Sequence, residues 1–174
     1  MKTLLLGMGN PILCDDAVGV CLARDFKRKV EGIPGMEVLE ECSLGGLNLL
    51  EVLTGYDRVM VLDSIRTTGG IPGQWYHFTA QALRETLHLT NIHDANFATA
   101  LELGRSLGMP LPVSSNIHIF AVEAKETWTF SERMTPELET SYRDYAPAIL
   151  GEILRLLGDL SLVDSAIPKA TLKE

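Results

Sequence analysis

The sequence lacks several features that would narrow its function at once. Its 174 residues include only three cysteines, Cys14, Cys21 and Cys42. The number is odd, and the spacing suits neither a disulfide framework nor a zinc site. They read as free thiols of a reducing cytosol. No apolar run approaches the roughly 18 residues of a membrane span. The stretch from Met1 to Gly9 is too short for a signal peptide and has no cleavage site, so a cytoplasmic location is expected. Basic residues are in deficit, with 15 Lys and Arg against 23 Asp and Glu and a net charge of −8. That balance argues against a nucleic-acid partner, whose footprint is a basic patch or stripe. Internal repeats, low-complexity segments and splitting linkers are absent. So are the GK[ST] of a phosphate-binding loop, the GxSxG of a nucleophile elbow and the HExxH of a zinc protease helix.

What is present fits one compact domain. Hydrophobic residues make up 46% and charged residues 22%, ordinary values for a soluble globular chain. A chain of this length buries about 70% of its unfolded surface and needs no covalent staples. Three apolar runs, Lys2 to Met8, Arg58 to Asp63 and Ile117 to Glu123, suit buried strands. Met36 to Glu40 is a further strand, and Gln74 to Thr79 a short edge strand. From Asp16 a helix begins, with Val18, Leu22, Phe26 and Val30 on one face. Lys27, Arg28 and Lys29 complement its dipole, and Gly32 is expected to stop it. Shorter helices are expected over Leu47 to Leu53 and Ala80 to Leu87. Another is capped by Asn91, places Phe97, Leu101 and Gly104 inward, and ends at Gly108 and Pro110. Thr135-Pro136-Glu137 starts a last helix running to about Leu157, with a kink expected near Arg143 to Pro147. Strands alternating with helices imply a mostly parallel sheet with helices on both faces. One domain over 1–157 and a loose tail over 158–174 complete the expected organisation.

In such sheets, sites form beyond the carboxyl ends of the strands. That rule selects the loop Gly9 to Asp16, the strand end at Asp63 and the helix start around His93. Gly7-x-Gly9 begins like a dinucleotide fingerprint, but Ile12 occupies the third glycine position and Pro11 breaks the turn. Asp15-Asp16 stand at a helix start, where one can cap and the other meet the positive dipole end. Alternatively, one caps while its neighbour turns into the crevice. Asp63 closes an otherwise uncharged run. Such a carboxylate is either bonded into a turn with Ser64 or matched to a cation. His93 lies near the first turn of its helix, where a neutral ring is favoured. His77, His88 and His118 read as structural. Two carboxylates and one imidazole at one crevice would form an open site for a first-row divalent ion.

These residues also carry a resemblance. Leu5-Leu6-Gly7-Met8-Gly9-Asn10-Pro11 followed by Asp15-Asp16-Ala17-Val18-Gly19 resembles the opening GxGNxxxxDDxxG of the hydrogenase maturation proteases. Val61-Leu62-Asp63-Ser64 is similar to that family's second strand-end motif, Ile92-His93 to its histidine segment, and Met134-Thr135-Pro136 to its last helix start. Glu41-Cys42 departs from it, because the family often has glycine there. The resemblance implies a three-layer α/β/α sandwich with a mostly parallel twisted sheet. It implies an aspartic-type, metal-dependent endopeptidase that reads nickel in the precursor of a nickel-iron hydrogenase large subunit and removes the C-terminal peptide. The metal ligands it implies are Asp16, Asp63 and His93, with Asp16 and Asp63 also catalytic and Gly9, Asn10 and Asp15 supporting. Nickel would arrive with the substrate, although another divalent ion can occupy such a site in vitro. A monomer is expected, with no nucleic acid and no membrane span. The competing expectation is a metal-site chaperone that binds the same precursor and cuts nothing.

Overall fold

A computed structural model describes residues 1–85 and 92–158, except the side chains of Leu47, 84–85 and 92–96. Five strands form the sheet: β1 (Thr3–Met8), β2 (Met36–Cys42), β3 (Arg58–Ile65), β4 (Trp75–Thr79) and β5 (Ile117–Glu123). Their order is β2-β1-β3-β5-β4. The first four in that order are parallel and β4 runs antiparallel along the edge. The strands β1, β3 and β5 are apolar almost throughout because helices cover both of their faces.

Alternation along each strand divides the core in two. Leu5, Met60, Leu62, Phe120 and Val122 pack against α1 (Val18–Val30) and α5 (Pro136–Leu157). Leu4, Leu6, Val59, Val61, Ile117 and Ile119 pack against α2 (Gly46–Leu53), α3 (Ala80–Glu85) and α4 (Ile92–Ser106). The result is the expected three-layer α/β/α sandwich. In α1, Val18, Leu22, Phe26 and Val30 are all essentially buried. At about 25 cal/mol per Å² of apolar surface, that face alone contributes several kcal/mol to docking the helix.

Several local expectations change. A short 3-10 turn, Cys14–Ala17, precedes α1, which starts at Val18 rather than Asp16. Neither aspartate caps α1; its N-cap is Ala17, without a side-chain bond. The helix closes at Glu31 in right-handed geometry, so Gly32 supplies no left-handed stop. α5 is one helix with Pro147 inside it, as expected. That proline removes one helical donor, while Tyr145, Ala146, Ile149 and Leu150 hold the same stretch against the sheet. β2 lies on the other edge and alternates between half-buried and exposed positions. Its acids are paired: Glu37 with Lys2, Glu40 with Lys27, and Glu41 with Arg24. No helix among the described residues is long and apolar enough to cross a membrane. The expected cap Asn91 and the 158–174 tail beyond Gly158 lie outside the described residues.

Candidate active site

The strand order creates a switch point. The chain leaves β1 for β2 on one side, then crosses back to β3 on the other, and in sheets of this kind the crevice forms at such a point, here beyond the carboxyl ends of β1 and β3. Three glycines let α1 close on this point. A Cβ at Gly19 would lie 2.3 Å from the Leu62 carbonyl oxygen and 2.4 Å from that of Met8. At Gly7 it would lie 2.4 Å from the Glu40 carbonyl oxygen. Gly9 has φ +120°, and a Cβ there would fall 1.9 Å from the Asp16 carbonyl oxygen. The glycine pattern that opens like a nucleotide fingerprint is thus a close-packing pattern, in which no side chain fits between helix and strands.

Asp16 and Asp63 meet through one residue. The Ser64 N–H donates to Asp63 Oδ1 at 2.7 Å, and the Ser64 hydroxyl donates to Asp16 Oδ1 at 3.0 Å. The other Asp16 oxygen accepts the Asn10 N–H at 2.8 Å, and the Asn10 side chain in turn accepts the Ile12 N–H at 3.1 Å. Strand alternation explains the bridge. Asp63 shares the parity of Val61 and Ile65, which face the α2–α4 layer, whereas Ser64 shares that of Leu62 and faces α1. The turn-forming bond between Asp63 and Ser64 therefore coexists with the link from Ser64 to Asp16. Both carboxylates are half-buried. Half-buried carboxylates can offer oxygen ligands to a cation or take a proton from water.

His93 is the second residue of α4, and its side chain lies outside the described residues. Among the described residues, no group of three His, Cys, Asp or Glu side chains is arranged to hold a metal ion. His77 and His118 sit apart from the crevice. His77 Nε2 faces His118 Nδ1 at 3.1 Å, His77 Nδ1 is 3.4 Å from Glu152, and the His77 ring stacks on Phe120. Burial lowers the pKa of both rings, which suits a structural pair. His88 lies outside the described residues.

Asp15 points the other way. It is fully buried and accepts the Lys125 N–H at 2.9 Å, the Glu126 N–H at 3.1 Å, the Thr135 N–H at 2.7 Å and the Thr135 hydroxyl at 3.0 Å. Thr135, the N-cap of α5, spends its hydroxyl on this carboxylate and makes no cap bond to its own helix. Backbone bonds reinforce the join. Cys14 N–H donates to the Ser131 carbonyl, Asp15 N–H to that of Glu126, and Ser131 N–H to that of Ile12. Cys14 itself has φ +45°, a left-handed conformation that costs free energy for any residue but glycine. Burial, then the Asp15 charge, pushes its thiol pKa up and so disfavours the reactive thiolate. All three cysteines are free. A second buried acid, Glu123, works similarly beside the crevice: it accepts the Thr67 N–H at 2.6 Å and the Thr67 hydroxyl at 2.8 Å. Neither anchor is visible in sequence spacing, since the Asp15 partners lie 110 to 120 residues along the chain.

Comparisons with known proteins agree with this fold. Solved structures share the fold, among them three hydrogenase maturation enzymes. The hydrogenase maturating endopeptidase HybD of E. coli is 22% identical, with a TM-score of 0.68, covering 91% of this chain and 94% of its own. The [NiFe] hydrogenase maturation protease HybD of Thermococcus kodakarensis is 23% identical, with a TM-score of 0.66, covering 90% and 99%. HycI from Thermococcus kodakarensis KOD1 is 24% identical, with a TM-score of 0.63, covering 88% and 92%. No curated protein matches the sequence. The model of the HycI hydrogenase maturation proteases matches residues 20–154, well over half of the sequence, and the chain belongs to the hydrogenase maturation protease family.

Proposed function

We propose that this protein is an endopeptidase that recognises nickel in the precursor of a nickel-iron hydrogenase large subunit and then removes the precursor's C-terminal peptide. The observation that supports this best is the Ser64 bridge, which joins Asp16 to Asp63 at the switch point of the sheet. On this reading Asp16, Asp63 and His93 offer oxygen and imidazole ligands to a nickel ion that the substrate carries. The substrate completes the shell with its own thiolates, which suit such a borderline ion. On this reading the ion supplies the charge match between precursor and site, so loading is checked before cutting. One of the two carboxylates then acts as general base. It takes a proton from water, the hydroxide adds to the scissile carbonyl, and the proton passes to the departing amine. The enzyme works on this reading as a cytoplasmic monomer, and cleavage lets the large subunit close over its metal centre.

The test is to incubate the pure protein with nickel-loaded and nickel-free precursor and weigh the products by mass spectrometry. Release of the peptide from loaded precursor alone is expected. Equal cutting of both forms overturns metal reading, and a stable complex that releases no peptide replaces the protease with a chaperone.

A further inference from the structure

We infer that Asp15 is a positioning residue, whose buried carboxylate locks the 13–16 turn to the 124–135 segment and so fixes where the Asp16 carboxylate points. Three observations converge on it. First, Asp15 is fully buried, and its carboxylate accepts hydrogen bonds from backbone N–H groups and a hydroxyl of that distant segment, beside a long contact with the Cys14 thiol. Second, the turn carrying Asp16 is strained at Cys14, φ +45°, and Cys14 is held by its bond to Ser131. A strained turn persists only where its surroundings over-determine it, and the 124–135 segment is that surrounding. Third, the Asp16 carboxylate depends on this turn for its aim, since it must reach Asn10 behind it and Ser64 across the crevice at once. Asp15 and Asp16 are adjacent, so any drift of the turn moves both ends of that reach. A carboxylate suits the position because every neighbouring group is a donor. Asparagine would turn its amide N–H₂ toward N–H and O–H groups and so cannot substitute.

The kinetic arm of the test rests on the peptidase reading; the structural arm does not. Backbone amide exchange of wild type and Asp15→Asn is compared residue by residue. Faster exchange confined to 13–16, 125–126, 131 and 135, with β3 and β5 unchanged, is expected. Uniform acceleration, or none, overturns the inference. In parallel, nickel-loaded precursor is titrated: kcat is expected to fall by about 100-fold, the scale of a reacting group misplaced by about 1 Å, with KM changing less than about 3-fold. An unchanged kcat overturns it. If Asp15→Asn fails to fold, Thr135→Val removes a single hydroxyl from the same carboxylate. Exchange should then rise at the same positions to a smaller extent, and a wild-type pattern overturns the inference. If wild type cuts no precursor, the peptidase reading fails while the exchange pattern still decides the role of Asp15.

Discussion

The carboxyl edge of the sheet holds two pairs of acids with opposite environments. Asp15 and Glu123 are buried, at 0% and 2% exposure, and their oxygens are occupied by backbone N–H groups and hydroxyls of the neighbouring loops. Asp16 and Asp63 stand one layer out, half-buried, and are linked to each other through Ser64. The inner pair holds loops, whereas the outer pair faces the crevice. Residue type does not separate them, because Asp15 and Asp16 are chemically identical neighbours. Direction does: within one 3-10 turn, successive side chains point to different sides, so one aspartate enters the protein and the next leaves it.

The largest expected effect tests the outer pair. Asp16→Asn and Asp63→Asn should each lower precursor cleavage by at least about 100-fold, as for a lost general base, while the thermal midpoint stays close to that of wild type. A large fall in midpoint would move them into the inner class. Next comes the inner pair. Glu123→Ala strands the N–H and hydroxyl of Thr67 and should cost about 1–3 kcal/mol, a drop of roughly 3–10 °C in the midpoint for a chain of this size, read by calorimetry. Ser64→Ala joins the two tiers at a smaller scale. It removes one hydroxyl bond to Asp16 and should cost no more than about 1.5 kcal/mol, with cleavage lowered several-fold and folding intact. The smallest effect lies away from the edge. Burial depresses the folded pKa of His77 and His118 below that of the unfolded chain. The unfolded state therefore binds more protons as pH falls through about 6.5, and stability declines there. Melting between pH 7.5 and 5.5 should show a fall of a few degrees, reduced in His118→Gln. No fall would place both rings outside the core.

Much of the scaffold is legible from residue order. Runs such as Arg58 to Asp63 are uninterrupted because both faces of the strand are covered, and the four-residue recurrence in α1 follows from one buried face. Asp63 was findable as a lone charge closing an apolar run. The rest depends on partners that leave no local trace. Asp15 reads as a helix cap, yet its donors come from residues 125, 126 and 135. Ser64 reads as a turn residue, and only the packing of α1 beside β3 reveals the Asp16 bond. Gly7, Gly9 and Gly19 are visible as a motif, but the sequence cannot tell a phosphate cradle from helix and strand in contact. His93 belongs to the side chains outside those described, so its place rests on the family resemblance.

The paired charges along β2 bear on how the molecule behaves in a crowd. β2 is an outer strand with one ladder unshared, and such an edge invites a second chain to add to it. Glu37, Glu40 and Glu41, with Lys2, Lys27 and Arg24, cover that edge with bulky hydrated groups. Exposed pairs of this kind add little to fold stability, so their main consequence is colloidal. They keep an exposed strand from templating aggregation, right beside the switch point of the same sheet.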